Sequence, residues 1–252
     1  MKAILALTII GSLVLGTAIY NMSSEKFGAR LQNDDIPTNV YDSWTHWKQR
    51  YGKSYGVDAE EQYRLRVYYD NFNRVGDSNN KGYKYTLALN QFADMTTQEF
   101  KKAYLGSQRP HISNTKTVKL STSNLPQNVD WESTGGVTPI KNQGQCGSCW
   151  SFSTSGALEG AHFAKTGSLT PLSEQQFMDC SKDLGNLSCS GGYINKAYDY
   201  AVANGVMSES DYPYYALDRN VCNFDATKVV YTPKSYTHVP NDDSDALKAA
   251  AA

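Results

Sequence analysis

The sequence has almost no net charge, very few histidines and a single long apolar run, and each shortage removes a class of function. Twenty-four basic residues stand against 25 acidic ones, for a formal charge of −1. That balance leaves no sustained basic surface for a phosphate backbone, so no nucleic-acid partner is expected. Only four histidines and five cysteines are present. The pair Cys146 and Cys149 lacks the second close pair, or the two spaced histidines, that a zinc site needs, and nearby His162 stands alone; no metal and no cofactor are expected. A thioredoxin-like redox pair would follow a strand in a compact βαβ unit, whereas Gly147 and Ser148 sit in a Gln- and Gly-rich loop. The apolar run "AILALTIIGSLVLGTA" after Met1-Lys2 falls short of the roughly 20 residues of a membrane span. It ends in small residues and reads as a signal peptide over residues 1–18, the alternative being an uncleaved anchor. Entry into the secretory pathway, without stable membrane association, makes disulfides the default state of paired cysteines.

What is present is globular: 252 residues, 40% hydrophobic and 12% aromatic, enough for one large or two modest domains. Five cysteines, Cys146, Cys149, Cys180, Cys189 and Cys222, leave at least one thiol unpaired within the chain. In a secreted protein such a thiol is an intermolecular link or a reactive group. Behind Cys149, "WSFSTSGALEGAHFAKTG" carries an imperfect helical stripe of apolar residues that Gly167 can close. Cys149 then sits at a helix N-terminus, where unpaired N–H groups favour a thiolate. The competing reading is a buried structural thiol.

"QGQCGSCWSF" resembles the active-site segment of papain-like cysteine proteases, the cathepsin L group included, whose nucleophile lies in C-G-[SA]-C-[WY]. The resemblance implies a zymogen of a cysteine endopeptidase that hydrolyses peptide bonds through a Cys thiolate and an acyl-enzyme. Cys149 is then the nucleophile and Gln143 the side-chain donor of the oxyanion hole, with the Cys149 backbone N–H beside it. "SCSGGY" is similar to the family's G-C-N-G-G segment, with Ser188 in place of the first Gly and Ser190 in place of Asn. Gly191 and Gly192 then hydrogen-bond an extended substrate in β fashion, although a glycine pair by itself also reads as a plain turn. Tyr193 and Ile194 line an apolar pocket for the second substrate residue before the cut. The implied disulfides are Cys146 with Cys189 and Cys180 with Cys222, leaving Cys149 free.

Residues 41–100 are charged, aromatic and free of Pro, compatible with two helices and a short strand. They resemble the inhibitory propeptide of the same proteases. Its helix motif is matched by Glu60, Arg64, Val67, Tyr68, Asn71, Val75 and Asn79, and its G-x-N-x-F-x-D signature by Ala88, Asn90, Phe92 and Asp94. The plainer alternative is an amphipathic helix with i to i+4 pairs such as Glu60 with Arg64. Residues 101–124 read as a cleavable linker and 125–252 as the N-terminal part of the peptidase domain. The implied fold is α+β, a papain-like two-lobe protein of which the prosegment and the mainly helical lobe are seen and the β-rich lobe is mostly missing. The implied partners are peptide or protein substrates and the chain's own prosegment as inhibitor, in a monomer, with a lysosomal, vacuolar or extracellular destination. The sequons at Asn21 and Asn186 are weak glycosylation matches.

The family's catalytic His and Asn fall about 130 to 150 residues beyond the nucleophile, past residue 252. The chain thus reads as C-terminally truncated. His162 lies 13 residues along the same helix, about 20 Å away at 1.5 Å per residue, and His46, His111 and His238 read as surface or packing residues. A non-catalytic, propeptide-type inhibitor is the alternative function.

Overall fold

The computed structural model describes residues 36–108 and 117–252. The leader 1–18, the Asn21 sequon and His111 lie outside the described residues. The chain divides into two compact units, Met1–Thr96 and Thr97–Ala252.

In the first unit, α1 (Thr38–Tyr51) and α2 (Asp58–Asn79) pack through aromatic rings. Gly52 ends α1 in the left-handed region with φ 61°. Trp44 stacks on Trp47 at 5.2 Å and tilts against Tyr68 at 5.1 Å, and Val40, Leu65 and Ala93 complete the buried cluster. The motif residues of α2 act on the segment that follows it. Glu60 pairs with Arg64 at 3.7 Å, and Arg64 also donates to the Asp94 carbonyl at 3.1 Å. Asn71 donates to the carbonyls of Ala93 and Met95 at 2.9 and 3.1 Å. Asp94 is buried and accepts from Lys53 at 3.0 Å and Tyr55 at 2.9 Å. Burial, and then the Asp94 carboxylate, hold the Tyr55 phenol far above its ordinary range. The Asn90 carbonyl accepts from Trp47 at 2.8 Å, its side chain accepts from the Phe92 amide at 3.0 Å, and Phe92 is half-buried.

The short strand expected after α2 does not form. Tyr83 to Leu89 form no ladder, with a bend at Lys84 and Tyr85, and the Asn79 amide pairs with this segment instead. It donates to the Leu87 carbonyl at 2.9 Å and accepts from the Leu87 N–H at 2.7 Å.

The second unit contains α3 (Thr97–Tyr104), α4 (Cys149–Thr166), α5 (Glu174–Cys180), α6 (Ile194–Asn204) and α7 (Ser244–Ala251). Its two described strands, β1 (Val206–Met207) and β2 (Val229–Tyr231), pair antiparallel with Val206 opposite Tyr231. Apolar residues three and four apart place Trp150 and Leu158 of α4 against Phe177 and Met178 of α5 and Ala197 and Ala201 of α6. Ser173 caps α5 by accepting from Gln176 N–H at 3.0 Å, and Gly167 closes α4 with φ 72°. The described residues are helix-rich with little sheet, the composition of a prosegment and a helical lobe within an α+β fold.

Candidate active site

Cys149 is the first residue of α4 and the free cysteine of the chain. Trp150 behind it is fully buried and donates from Nε1 to the Ser188 carbonyl at 3.2 Å, which seats the start of the helix. Disulfides join Cys146 to Cys189 and Cys180 to Cys222. The first ties the loop before Cys149 to the glycine segment, reinforced by Gly147 N–H to the Cys189 carbonyl at 2.9 Å. Ser188 adopts φ 52°, the left-handed conformation that glycine takes without strain.

A strap from α3 crosses this site in the 104–108 stretch and engages it through backbone groups. The Tyr104 carbonyl accepts from Gln143 Nε2 at 2.8 Å, and Gly106 N–H points at Cys149 Sγ at 3.3 Å. Gly106 and Gln108 then exchange two 2.8 Å hydrogen bonds with Gly192, through its N–H and its carbonyl. The bridge between Ser107 and Gly192 is parallel. Close approach is what demands glycine here: a Cβ on Gly106 would lie 1.8 Å from the Gly147 oxygen, and one on Gly192 would lie 2.6 Å from the Trp150 ring. Tyr193 and Ile194, both half-buried, follow directly, with Ile194 packed on the α4–α6 core.

Beneath the site lies a charged cluster. Lys141 Nζ contacts Glu159 at 2.6 Å and Glu174 at 2.7 Å, and both carboxylates are buried. Burial pushes the Lys141 ammonium down, but the Glu159 and Glu174 hydrogen bonds outweigh it and hold the group above its ordinary value. Thr138 and the Leu172 N–H satisfy Glu159, and Ser155 donates to Glu174. One oxygen of Glu209 accepts from the Tyr214 N–H at 2.8 Å, while the other has no protein donor. Burial, then the neighbouring Glu174 charge, raise the Glu209 carboxyl to about 7. Tyr214 carries this cluster up to the loop before Cys149. Its hydroxyl donates to the Gln143 carbonyl at 2.7 Å and lies 2.6 Å from Ser148 Oγ, which therefore donates to it. Burial keeps the phenol above its usual range, so it remains a donor.

Cys149, Gln143 and Gly192 are thus gathered around one strap. His162 is turned elsewhere on α4, against the Tyr231 ring at 4.8 Å, and His238 packs edge-on to Tyr236 at 5.6 Å. Sequence reasoning missed Tyr104, Gly106, Gln108 and Tyr214. The strap works by main-chain atoms, which leave no signature beyond one glycine, and Tyr214 is one of 18 tyrosines.

Residues 125–252 match the papain family cysteine protease domain, and residues 44–100 the cathepsin propeptide inhibitor domain. Digestive cysteine proteinase 2 of Homarus americanus is 43% identical over 217 residues, covering 82% of this chain and 66% of that protein. Procathepsin L of Rattus norvegicus is 37% identical, covering 97% of this chain and 71% of its own length. The chain thus spans about two thirds of the length of these curated relatives. Among solved structures, digestive procathepsin L 3 of the Tenebrio molitor larval midgut superposes with a TM-score of 0.73 at 37% identity, covering 85% of this chain and 70% of that one. The recombinant stem bromelain precursor gives 0.76 at 32% identity, covering 84% and 69%. With its peptidase and propeptide domains both matched, the chain belongs to the papain family of cysteine proteases, among their cathepsin L-like proenzymes.

Proposed function

We propose that the chain supplies the nucleophile, the oxyanion donors and the substrate-docking edge of a cysteine endopeptidase, held inactive by its own prosegment. The observation that carries this reading is the strap itself: a peptide backbone already lies on Cys149, Gln143 and Gly192 at hydrogen-bond distances. In the proposed reaction Cys149 sulfur attacks the scissile carbonyl carbon. The charge that develops on its oxygen is met by Gln143 Nε2 and the Cys149 N–H. Collapse expels the amine and leaves a thioester, which water then hydrolyses. The departing amine needs a proton donor, and neither His162 nor His238 is placed to serve. The substrate side chain next but one before the cut rests on Tyr193 and Ile194, favouring apolar or aromatic residues. The two disulfides and the leader sequence support passage through the secretory pathway to a lysosomal, vacuolar or extracellular site.

The test joins residues 1–252 in frame to the C-terminal third of rat procathepsin L. After acid processing the fusion is expected to cleave peptides, and Cys149→Ala to abolish that cleavage. A correctly disulfide-bonded fusion without turnover, or one indifferent to Cys149→Ala, overturns the proposal.

A further inference from the structure

Asn186 opens a glycosylation sequon, Asn186-Leu187-Ser188, yet its side chain is completely buried. Both ends of its amide are used inside the fold. Nδ2 donates to Ser181 Oγ at 2.7 Å, just after α5, and Oδ1 accepts from the Tyr193 N–H at 2.7 Å. Oδ1 also stands 2.8 Å from where a Cβ on Gly192 would lie, so the amide and the Trp150 ring together wall in that glycine from behind. The loop between is closed by Leu187 N–H to the Gly191 carbonyl at 2.7 Å.

An edge that pairs with an extended chain must present its N–H and carbonyl outward at fixed spacing, while the peptide groups on either side are satisfied inward. Gly192 presents both outward, to Gly106 and Gln108. The next N–H, of Tyr193, is turned inward, and Asn186 is its acceptor. We propose that Asn186 is the positioning residue of the peptide-docking edge, setting the orientation of Gly192 from behind, and that its sequon carries no glycan in the folded protein. This inference rests on the proposed role of Gly192 in substrate docking. The pairing of Gly192 with the strap makes it measurable without any catalysis.

The experiment uses the 252-residue chain secreted from a glycosylating cell, with Asn186→Ala, Asn186→Asp and Ser188→Gly variants. Site-resolved hydrogen exchange at Gly192 and Gln108 is read against core amides of α5. Asn186→Ala is expected to speed exchange at the two edge sites at least tenfold relative to the core. Asn186→Asp keeps an oxygen for Tyr193 and is expected to stay within threefold of the parent, as is Ser188→Gly, which deletes the sequon but spares the amide. Peptide mapping is expected to find Asn186 unmodified. A glycan on Asn186, or equal edge protection in Asn186→Ala and the parent, overturns the inference. Should Asn186→Ala not fold, a tenfold loss of edge protection in Asn186→Asp does the same. Failure of the catalytic reading leaves these exchange rates untouched and is seen instead in the fusion's lack of turnover.

Discussion

Two side chains couple the buried charge cluster to the loop before Cys149, and each can be altered by very few atoms. Tyr214→Phe removes one hydroxyl and leaves the Gln143 carbonyl without its donor, a loss of about 1–2 kcal/mol in chemical denaturation. In the fusion protein the same change is expected to lower kcat about tenfold at nearly constant KM, because Gln143, the proposed oxyanion donor, is misplaced and not deleted. Glu209 gives a pH signature. Its carboxyl is raised to about 7 in the fold, from an ordinary value of 4.5. The folded state therefore holds the proton more tightly than the unfolded chain, and stability is fully present below about 4.5 and falls as pH rises through 7. Half-exposure screens the effect to about 1–2 kcal/mol. Glu209→Gln, which mimics the protonated form, is expected to flatten the decline in melting temperature between pH 5 and about 8. A parallel decline in both proteins would place the titration elsewhere.

At the scale of elements, the strap depends on the absence of a side chain at Gly106. Gly106→Ala puts a methyl 1.8 Å from the Gly147 oxygen, so the strap must lift. Alkylation of Cys149 by iodoacetamide is expected to quicken at least tenfold, with the melting temperature of the rest of the second unit little changed. An unchanged rate would mean that the strap does not shield the thiol. The helix behind Cys149 was legible in sequence because its causes are local: the apolar stripe of α4 and the turn at Gly167 each sit within a few residues of what they control. The strand expected after α2 failed because its pairing partner is a single side chain, Asn79, which periodicity cannot report. Within the site, the cysteine motif stood out because cysteines are few, five in the chain, and at fixed spacing from glycines. Tyr214 acts across about seventy residues through an ordinary phenol, so nothing in its local sequence marked it, and the sequon that singled out Asn186 pointed to a glycan and not to its buried amide.

For the whole molecule, the expected outcome is a chain with a reactive thiol and no turnover. Cys149 is 13 residues from His162 along α4, about 20 Å by helix rise, and that imidazole packs on Tyr231. The purified 252-residue protein, with its prosegment removed, is expected to react with iodoacetamide yet hydrolyse no fluorogenic peptide above background. Loss of general acid catalysis alone accounts for about 10² to 10⁴-fold. Robust hydrolysis that disappears in His162→Ala would require a different catalytic geometry.

The parallel bridge at Ser107 and Gly192 fixes the direction in which the strap runs past the thiol. Reversing a peptide's polarity exchanges what it shows to a fixed neighbour, and here Cys149 sulfur meets the Gly106 N–H, a hydrogen-bond donor with no electrophilic carbon. The strap thus turns a donor, and not an attackable carbonyl, toward the thiol. A segment held there by its main chain leaves its side chains free to vary wherever they do not collide with the walls.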